Sequence, residues 1–155
     1  MLEDISVLVV DDEPYYREKI KTLLGDSNIR CALVSSVSEA MGAMEAGFIP
    51  DVAIVDWHIP QISGAEDKIY DLDGFALSRE ILKNREGRTR VIITSMLSLK
   101  NIEAEYSKAW GYYCKGKNWD TLKDVVKMGR LKDGEVRKVI VDIQSEFGKS
   151  MIDRR

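Results

Sequence analysis

The sequence predicts a doubly wound α/β fold, a parallel sheet with helices on both faces, and three observations predict it. Short apolar runs rich in branched residues alternate with stretches of helical periodicity, the connections between them are short, and two of the runs end directly in acidic residues. Runs of this length without polar alternation suit strands that are buried on both faces.

The first strand is expected at Ser6 to Val10 and ends in Asp11-Asp12. Pro14 then opens a helix at a position where its missing N–H is harmless, and Ile20, Leu23 and Leu24 supply the inner face. Arg30 to Val34 follows as the second strand. Ser38 is expected to cap a second helix, through Ala40, Met41 and Met44, that stops near Gly47. The third strand, Val52 to Val55, ends in Asp56, and a third helix runs from about Phe75 to Leu82. Val91 to Thr94 forms the fourth strand, after which Leu99, Ile102, Tyr106 and Ala109 recur at helical spacing. The fifth strand, Tyr112 to Cys114, precedes a fifth helix that starts after Asp120 and carries Leu122, Val125 and Val126. No repeat or low-complexity segment interrupts these units.

Parallel strands place Asp11, Asp12 and Asp56 together at the carboxyl edge, where open α/β sheets put their sites. Three carboxylates meeting there raise one another's pKa unless a cation neutralises them, and a hard, oxygen-seeking ion such as Mg²⁺ fits best. Taken alone, Asp11-Asp12 also fits turn and N-cap chemistry, with Asp12 or Glu13 capping the helix that Pro14 opens.

Composition sets the outer bounds. A chain of 155 residues, 45% hydrophobic and 32% charged, suits one globular domain and is too short for two ordinary ones. A net charge of −3 gives no support to direct nucleic-acid binding. No apolar stretch approaches the length of a membrane span, and the start, Met1-Leu2-Glu3-Asp4, lacks the features of a signal peptide, so a cytoplasmic address is expected. Cys31 and Cys114 have no metal-ligand spacing and are read as buried free thiols.

The residues resemble the receiver domain of two-component response regulators. The resemblance covers residues 1 to about 128 and rests on an ordered set: Asp11-Asp12 after the first strand, Asp56 in Asp56-Trp57-His58-Ile59-Pro60 after the third, a hydroxyl after the fourth, and Lys115 in Gly111-Tyr112-Tyr113-Cys114-Lys115 after the fifth. It implies a flavodoxin-like, five-stranded sheet in the order 2-1-3-4-5, and it places Cys31 and Cys114 on opposite edges, beyond disulfide reach. It further implies a phosphoryl group passing from a phosphohistidine donor, a sensor histidine kinase or histidine phosphotransfer protein, to Asp56, with signalling through the fourth helix, fifth strand and fifth helix.

The roles that follow match elementary chemistry. Asp56 is the candidate nucleophile and forms an acyl phosphate. Asp12 would ligate Mg²⁺ directly and Asp11 largely through water, with Asp56 and the backbone carbonyl of His58 completing the protein ligands. Lys115 pairs with one phosphoryl oxygen, and a hydroxyl donates to another. Thr94 and Ser95 are consecutive and point to opposite faces; counting back from Lys115 favours Ser95, with Thr94 as the alternative. Tyr112 falls where the family keeps an aromatic that reports phosphorylation, and it also fits as a half-buried strand residue.

Three features depart from the family. Gly116 stands where proline often follows the lysine. Pro60 and Gly64 satisfy the usual turn, yet the phrase leading into the third helix recurs at Asp71-Leu72-Asp73-Gly74-Phe75, so an insertion of about ten residues lies within 61–74 over the site's edge. Beyond the receiver unit, 1–130, an extension at 131–155 is expected to form one helix from about Gly134 to Met151. Its stripe of Val136, Val139, Ile140, Ile143, Phe147 and Met151 must be covered, by the same stripe of a second subunit in a homodimer or, as the alternative, by the receiver's own helices. The remaining length does not hold a winged helix, so the chain reads as a single-domain receiver or as one cut from a longer regulator.

Two other classes compete. A pseudo-receiver binds partners without phosphorylation, and the intact set Asp11, Asp12, Asp56 and Lys115 argues against it. A Mg²⁺-dependent phosphohydrolase needs a second acid/base carboxylate beside the nucleophile, and Asp56-Trp57-His58 supplies none. The expected protein is thus no enzyme beyond slow modification and resetting of its own Asp56.

Overall fold

The computed structural model describes residues 4–26, 28–59, 73–84, 89–95, 111–115, 119–127 and 141–142. Within them the apolar runs become strands. β1 (Ile5–Val10), β3 (Val52–Asp56) and β4 (Arg90–Ser95) are buried along their whole lengths, as suits central strands covered on both faces. β2 (Ile29–Val34) lies outside β1, and beyond Ile29 it is only partly buried or exposed. With β5 (Gly111–Cys114) and β6 (Val141–Asp142) the sheet runs in the order β2-β1-β3-β4-β5-β6, every pair parallel.

Alternation along the strands divides the core in two. Val7, Val9, Ile54 and Ile92 point to one face, where Ile20 and Leu24 from the first helical stretch meet Leu122, Val125 and Val126. Leu8, Val10, Val55 and Ile93 point to the other, against Ala40, Leu77 and Ile81. Helices α1 (Pro14–Leu23) and α4 (Trp119–Lys127) therefore cover the first face, and α2 (Val37–Glu45) and α3 (Asp73–Asn84) the second. α4 is the fifth helix of the sequence pattern. The fourth, carrying Leu99 to Ala109, lies outside the described residues.

The sheet's amino edge is tied by Asp51. Its carboxylate accepts from the Ser6 N–H at 2.9 Å, its own N–H donates to the Ser6 carbonyl at 2.8 Å, and its carbonyl accepts from the Arg90 N–H at 2.9 Å. These bonds clamp the starts of β1, β3 and β4 and leave the opposite edge free for chemistry.

Two expectations are corrected. Ser36, one residue before α2, is the cap in place of Ser38: its Oγ accepts from the Glu39 N–H at 3.1 Å, while Glu39 Oε1 accepts from the Ser35 hydroxyl at 2.6 Å. The glutamate three residues after Ser36 is the signal that selects this serine. The helix then ends as expected before Gly47, whose φ of 104° is open to glycine at little cost.

The second correction concerns the tail. One continuous helix from Gly134 to Met151 is incompatible with β6, which pairs with β5 through Gly111↔Val141 and Tyr112↔Asp142 and adds a sixth strand to the five expected. Without it β5 would present unpaired backbone groups along that side, and the branched run Val139-Ile140-Val141 suits an extended strand. The stripe on which the expected homodimer rests, Val136, Val139, Ile140, Ile143, Phe147 and Met151, lies outside the described residues. Residues 128–140 and 143–155 lie outside the described set.

Candidate functional site

Strand pairing assembles the site. Val10 lies opposite Val55, so Asp11 and Asp56, the next residue of each strand, emerge side by side at the carboxyl edge. One carboxylate oxygen from each of Asp11, Asp12 and Asp56 lies within 4.8 Å of the other two. On the other flank, the Lys115 N–H donates to the Ser95 carbonyl at 2.8 Å, continuing the β4–β5 ladder by one residue and turning the lysine toward the carboxylates. Its Nζ stands 2.7 Å from Asp11 Oδ2 and 2.8 Å from Asp56 Oδ2, with all three side chains buried.

Electrostatics follow from this burial. Desolvation pushes the Asp56 carboxyl up to about 7, against the pull of Lys115, with the Asp11 charge adding to the rise. Burial raises Asp11 too, opposed chiefly by Lys115. For Lys115, burial disfavours the charge, but the carboxylates of Asp56 and Asp11 outweigh it and hold the ammonium above its usual range. Lys115 neutralises one of three clustered negative charges, and what remains is an all-oxygen donor set with excess negative charge. The chemistry of that set fits a hard divalent cation.

The turn after β3 is held on both sides. The His58 N–H donates to Asp56 Oδ1 at 3.1 Å, and the Trp57 N–H donates to the Thr94 carbonyl at 3.1 Å. The His58 ring is exposed and stacks on Trp57, with centroids 4.3 Å apart and planes within 4°. Its backbone carbonyl, expected as a ligand, belongs to this same turn. Thr94 and Ser95 are both buried; Thr94 is the Cα partner of Asp56, and Ser95, the last residue of β4, is the partner of Cys114 and bonds the Lys115 backbone. Tyr112 lies within β5, opposite Ile93 and Asp142, short of the strand's carboxyl end.

Three residues shape the site beyond those assigned to it from the sequence. A Cβ on Gly74 would meet the Asp56 carbonyl oxygen at 2.1 Å and Trp57 Cα at 2.6 Å, and its N–H donates to the Trp57 carbonyl at 3.2 Å. This bare glycine lets α3 start against the turn, and it identifies the second of the two glycine phrases as the one that launches the helix. Arg17 Nη1 donates to the Asp11 carbonyl at 2.6 Å, and the Tyr16 ring lies over Lys115 with Nζ 4.6 Å from its centroid. Their only signal in sequence is position: α1 begins at the site's edge, which brings Tyr16 and Arg17 of its first turns beside it.

Glu13 is the N-cap of α1 but makes no side-chain cap bond; Asp11 Oδ1 accepts the Glu13 N–H at 2.9 Å instead. Capping and site formation are thus shared by one carboxylate. Among the described residues, no helix is long and apolar enough to cross a membrane.

The family model for the response regulator receiver domain matches residues 7–127. The chain is 43% identical over 67 residues to the transcriptional regulatory protein BtsR of Salmonella typhi, covering 40% of this chain and 26% of that protein. It thus spans about a quarter of that relative's length. Among solved structures, the response regulator TrrA of Thermotoga maritima, determined with Mg²⁺ and BeF, is 28% identical, with a TM-score of 0.64 over 81% of this chain and 98% of that one. A CheY-like receiver domain protein from Methanospirillum hungatei shares the fold at 21% identity, TM-score 0.64, over 81% and 93% of the two chains.

Proposed function

This chain belongs to the response regulator receiver domain family, and from that premise we propose that it accepts a phosphoryl group on Asp56 from a phosphohistidine carried by a sensor histidine kinase or histidine phosphotransfer protein. The observation that carries this reading is the cluster of Asp11, Asp12 and Asp56 at one sheet edge, Asp12 half-buried and the two buried members, Asp11 and Asp56, bridged by Lys115. In the transfer, an ionised Asp56 oxygen attacks phosphorus, the N–P bond breaks, and its electron pair leaves with the imidazole. An acyl phosphate remains on Asp56. Water later attacks the same phosphorus, expelling the carboxylate and releasing inorganic phosphate.

Each group has work in that exchange. Asp56 must be ionised to attack, and Lys115 opposes the burial that would keep it protonated. Asp11, Asp12, Asp56 and the His58 carbonyl would hold Mg²⁺, whose charge when bound draws phosphoryl oxygens in and offsets their repulsion from the carboxylates. The His58 N–H on Asp56 Oδ1 holds that oxygen in place and leaves Oδ2, on Lys115, as the oxygen to be exchanged between partners. Lys115 then turns to a phosphoryl oxygen, and the hydroxyl of Ser95, or alternatively Thr94, donates to another.

We assign residues 1–130 to the receiver unit, with the 61–74 insertion and the 131–155 extension as additions of this chain. Tyr112, on the strand that Lys115 follows, would report the change along β5. Incubation with acetyl phosphate and Mg²⁺ followed by intact mass tests the proposal. The expected result is a gain of one phosphoryl group that Asp56→Asn does not show; equal gain in that variant, or none in the wild type, defeats it.

A further inference from the structure

An ammonium on a four-carbon stem is mobile, and the proposed exchange asks Lys115 to be in place before and after a phosphoryl group arrives. Two of its donor directions are taken by Asp11 Oδ2 and Asp56 Oδ2. The third side of the ammonium meets the ring of Tyr16, 4.6 Å from Nζ to centroid. Tyr16 is half-buried whereas Lys115 is buried, so the ring forms part of the cover that separates the ammonium from water.

The ring is itself held. Tyr15 meets it edge-on, with centroids 5.1 Å apart and planes at 83°, and Lys19 Nζ lies over the Tyr15 ring at 5.9 Å from its centroid. The next residue, Arg17, pins the first turns of α1 to the site through the Asp11 carbonyl. A cation over an aromatic face is attracted without being fixed in direction, because the ring offers a surface of negative potential and no single acceptor atom.

From this geometry, and resting on the phosphoacceptor reading above, we propose that Tyr16 is a positioning residue for phosphotransfer: its ring holds the Lys115 ammonium at the site as its donors pass from carboxylate to phosphoryl oxygens. The property required is an aromatic face and not the phenol hydroxyl. Tyr16→Leu should slow phosphorylation by acetyl phosphate about fivefold, the scale of one partly buried cation–ring contact. Tyr16→Phe should restore the rate.

The test is a double-mutant cycle on the full chain. Phosphorylation by acetyl phosphate with Mg²⁺ is followed for the wild type, Tyr16→Leu, Tyr16→Phe, Lys115→Ala and the two double variants. If Tyr16 acts through Lys115, the leucine loss disappears in the Lys115→Ala background. A loss that persists there, a phenylalanine variant as slow as leucine, or no leucine effect at all overturns the proposal. In parallel, the Lys115 Cε resonance should sit upfield through the ring current in the wild type and Tyr16→Phe, and return to its ordinary position in Tyr16→Leu. If the wild type takes no phosphoryl group, the phosphoacceptor reading fails, and unaltered Cε shifts would separately deny the contact.

Discussion

The Lys115 ammonium lies 2.8 Å from Asp56 Oδ2, joining positions 59 residues apart in the chain. The bond links the ends of β3 and β5 across the intervening β4, and Asp11 completes the bridge from β1. A group attached to Asp56 Oδ2 would therefore meet this lysine.

Stability should depend on pH through Asp56. Its carboxyl is raised from 3.8 to about 7 in the fold, so between those values the folded chain holds a proton that the unfolded chain has lost. The contribution is present in full below about pH 4 and is lost as pH rises toward 7, by up to roughly 4 kcal/mol at about 1.36 kcal/mol per pH unit. Urea melts at pH 4.5 and 8, with a chelator present, should show Asp56→Asn more stable than wild type at pH 8 and less favoured at pH 4.5. Identical pH dependence in the two proteins would remove Asp56 as the source.

Mg²⁺ affinity should move in opposite directions in two variants. Asp12→Asn removes one negative donor, whereas Lys115→Ala removes the cation that competes for Asp11 and Asp56. Loss or gain of roughly 1.4 kcal/mol changes affinity about tenfold. Trp57, adjacent to Asp56 and stacked on His58, supplies the fluorescence for the titration. Weaker binding in Lys115→Ala would contradict the competition.

Two glycine substitutions in helices should have opposite signs. Gly74→Ala forces a methyl into the Asp56 and Trp57 backbone and should cost roughly 1–3 kcal/mol or more. Gly42, in α2, has nothing within 4 Å of a built Cβ, so Gly42→Ala should stabilise by about 0.5–1 kcal/mol. Chemical denaturation compares them; a neutral Gly74→Ala would mean that α3 is free to shift.

Ser95→Ala should slow phosphorylation by roughly 10- to 100-fold, the value of a hydrogen bond of about 1.5–3 kcal/mol to a charged group. Thr94→Val should change it little, because Ser95 is the residue at the strand's end whose carbonyl receives Lys115. The reverse ranking of rates with acetyl phosphate would transfer the role to Thr94.

Much of the site was legible because strand ends are local events. Val7-Leu8-Val9-Val10 and Val52-Ala53-Ile54-Val55 announce buried strands, and an aspartate directly after each must emerge at the same edge if the strands are parallel. Less legible was the tail, where a short branched run satisfies helical and extended periods alike and the need of β5 for a neighbour decided for β6. Ser36 could have been read from Glu39, whereas Tyr16 could not, since nothing in Tyr15-Tyr16-Arg17 says which face of α1 overlooks a lysine from the far end of the domain.

The sequence by itself determined the alternation of strands and helices and the residues standing at the strand ends, because periodicity and burial preference act over a few neighbouring positions. Tertiary structure alone decided that one lysine bridges Asp11 and Asp56, that Gly74 is the glycine α3 needs, and that Tyr16 covers the ammonium. Each of these depends on distances of a few ångströms between segments remote in sequence, and such distances exist only once the sheet has paired and twisted.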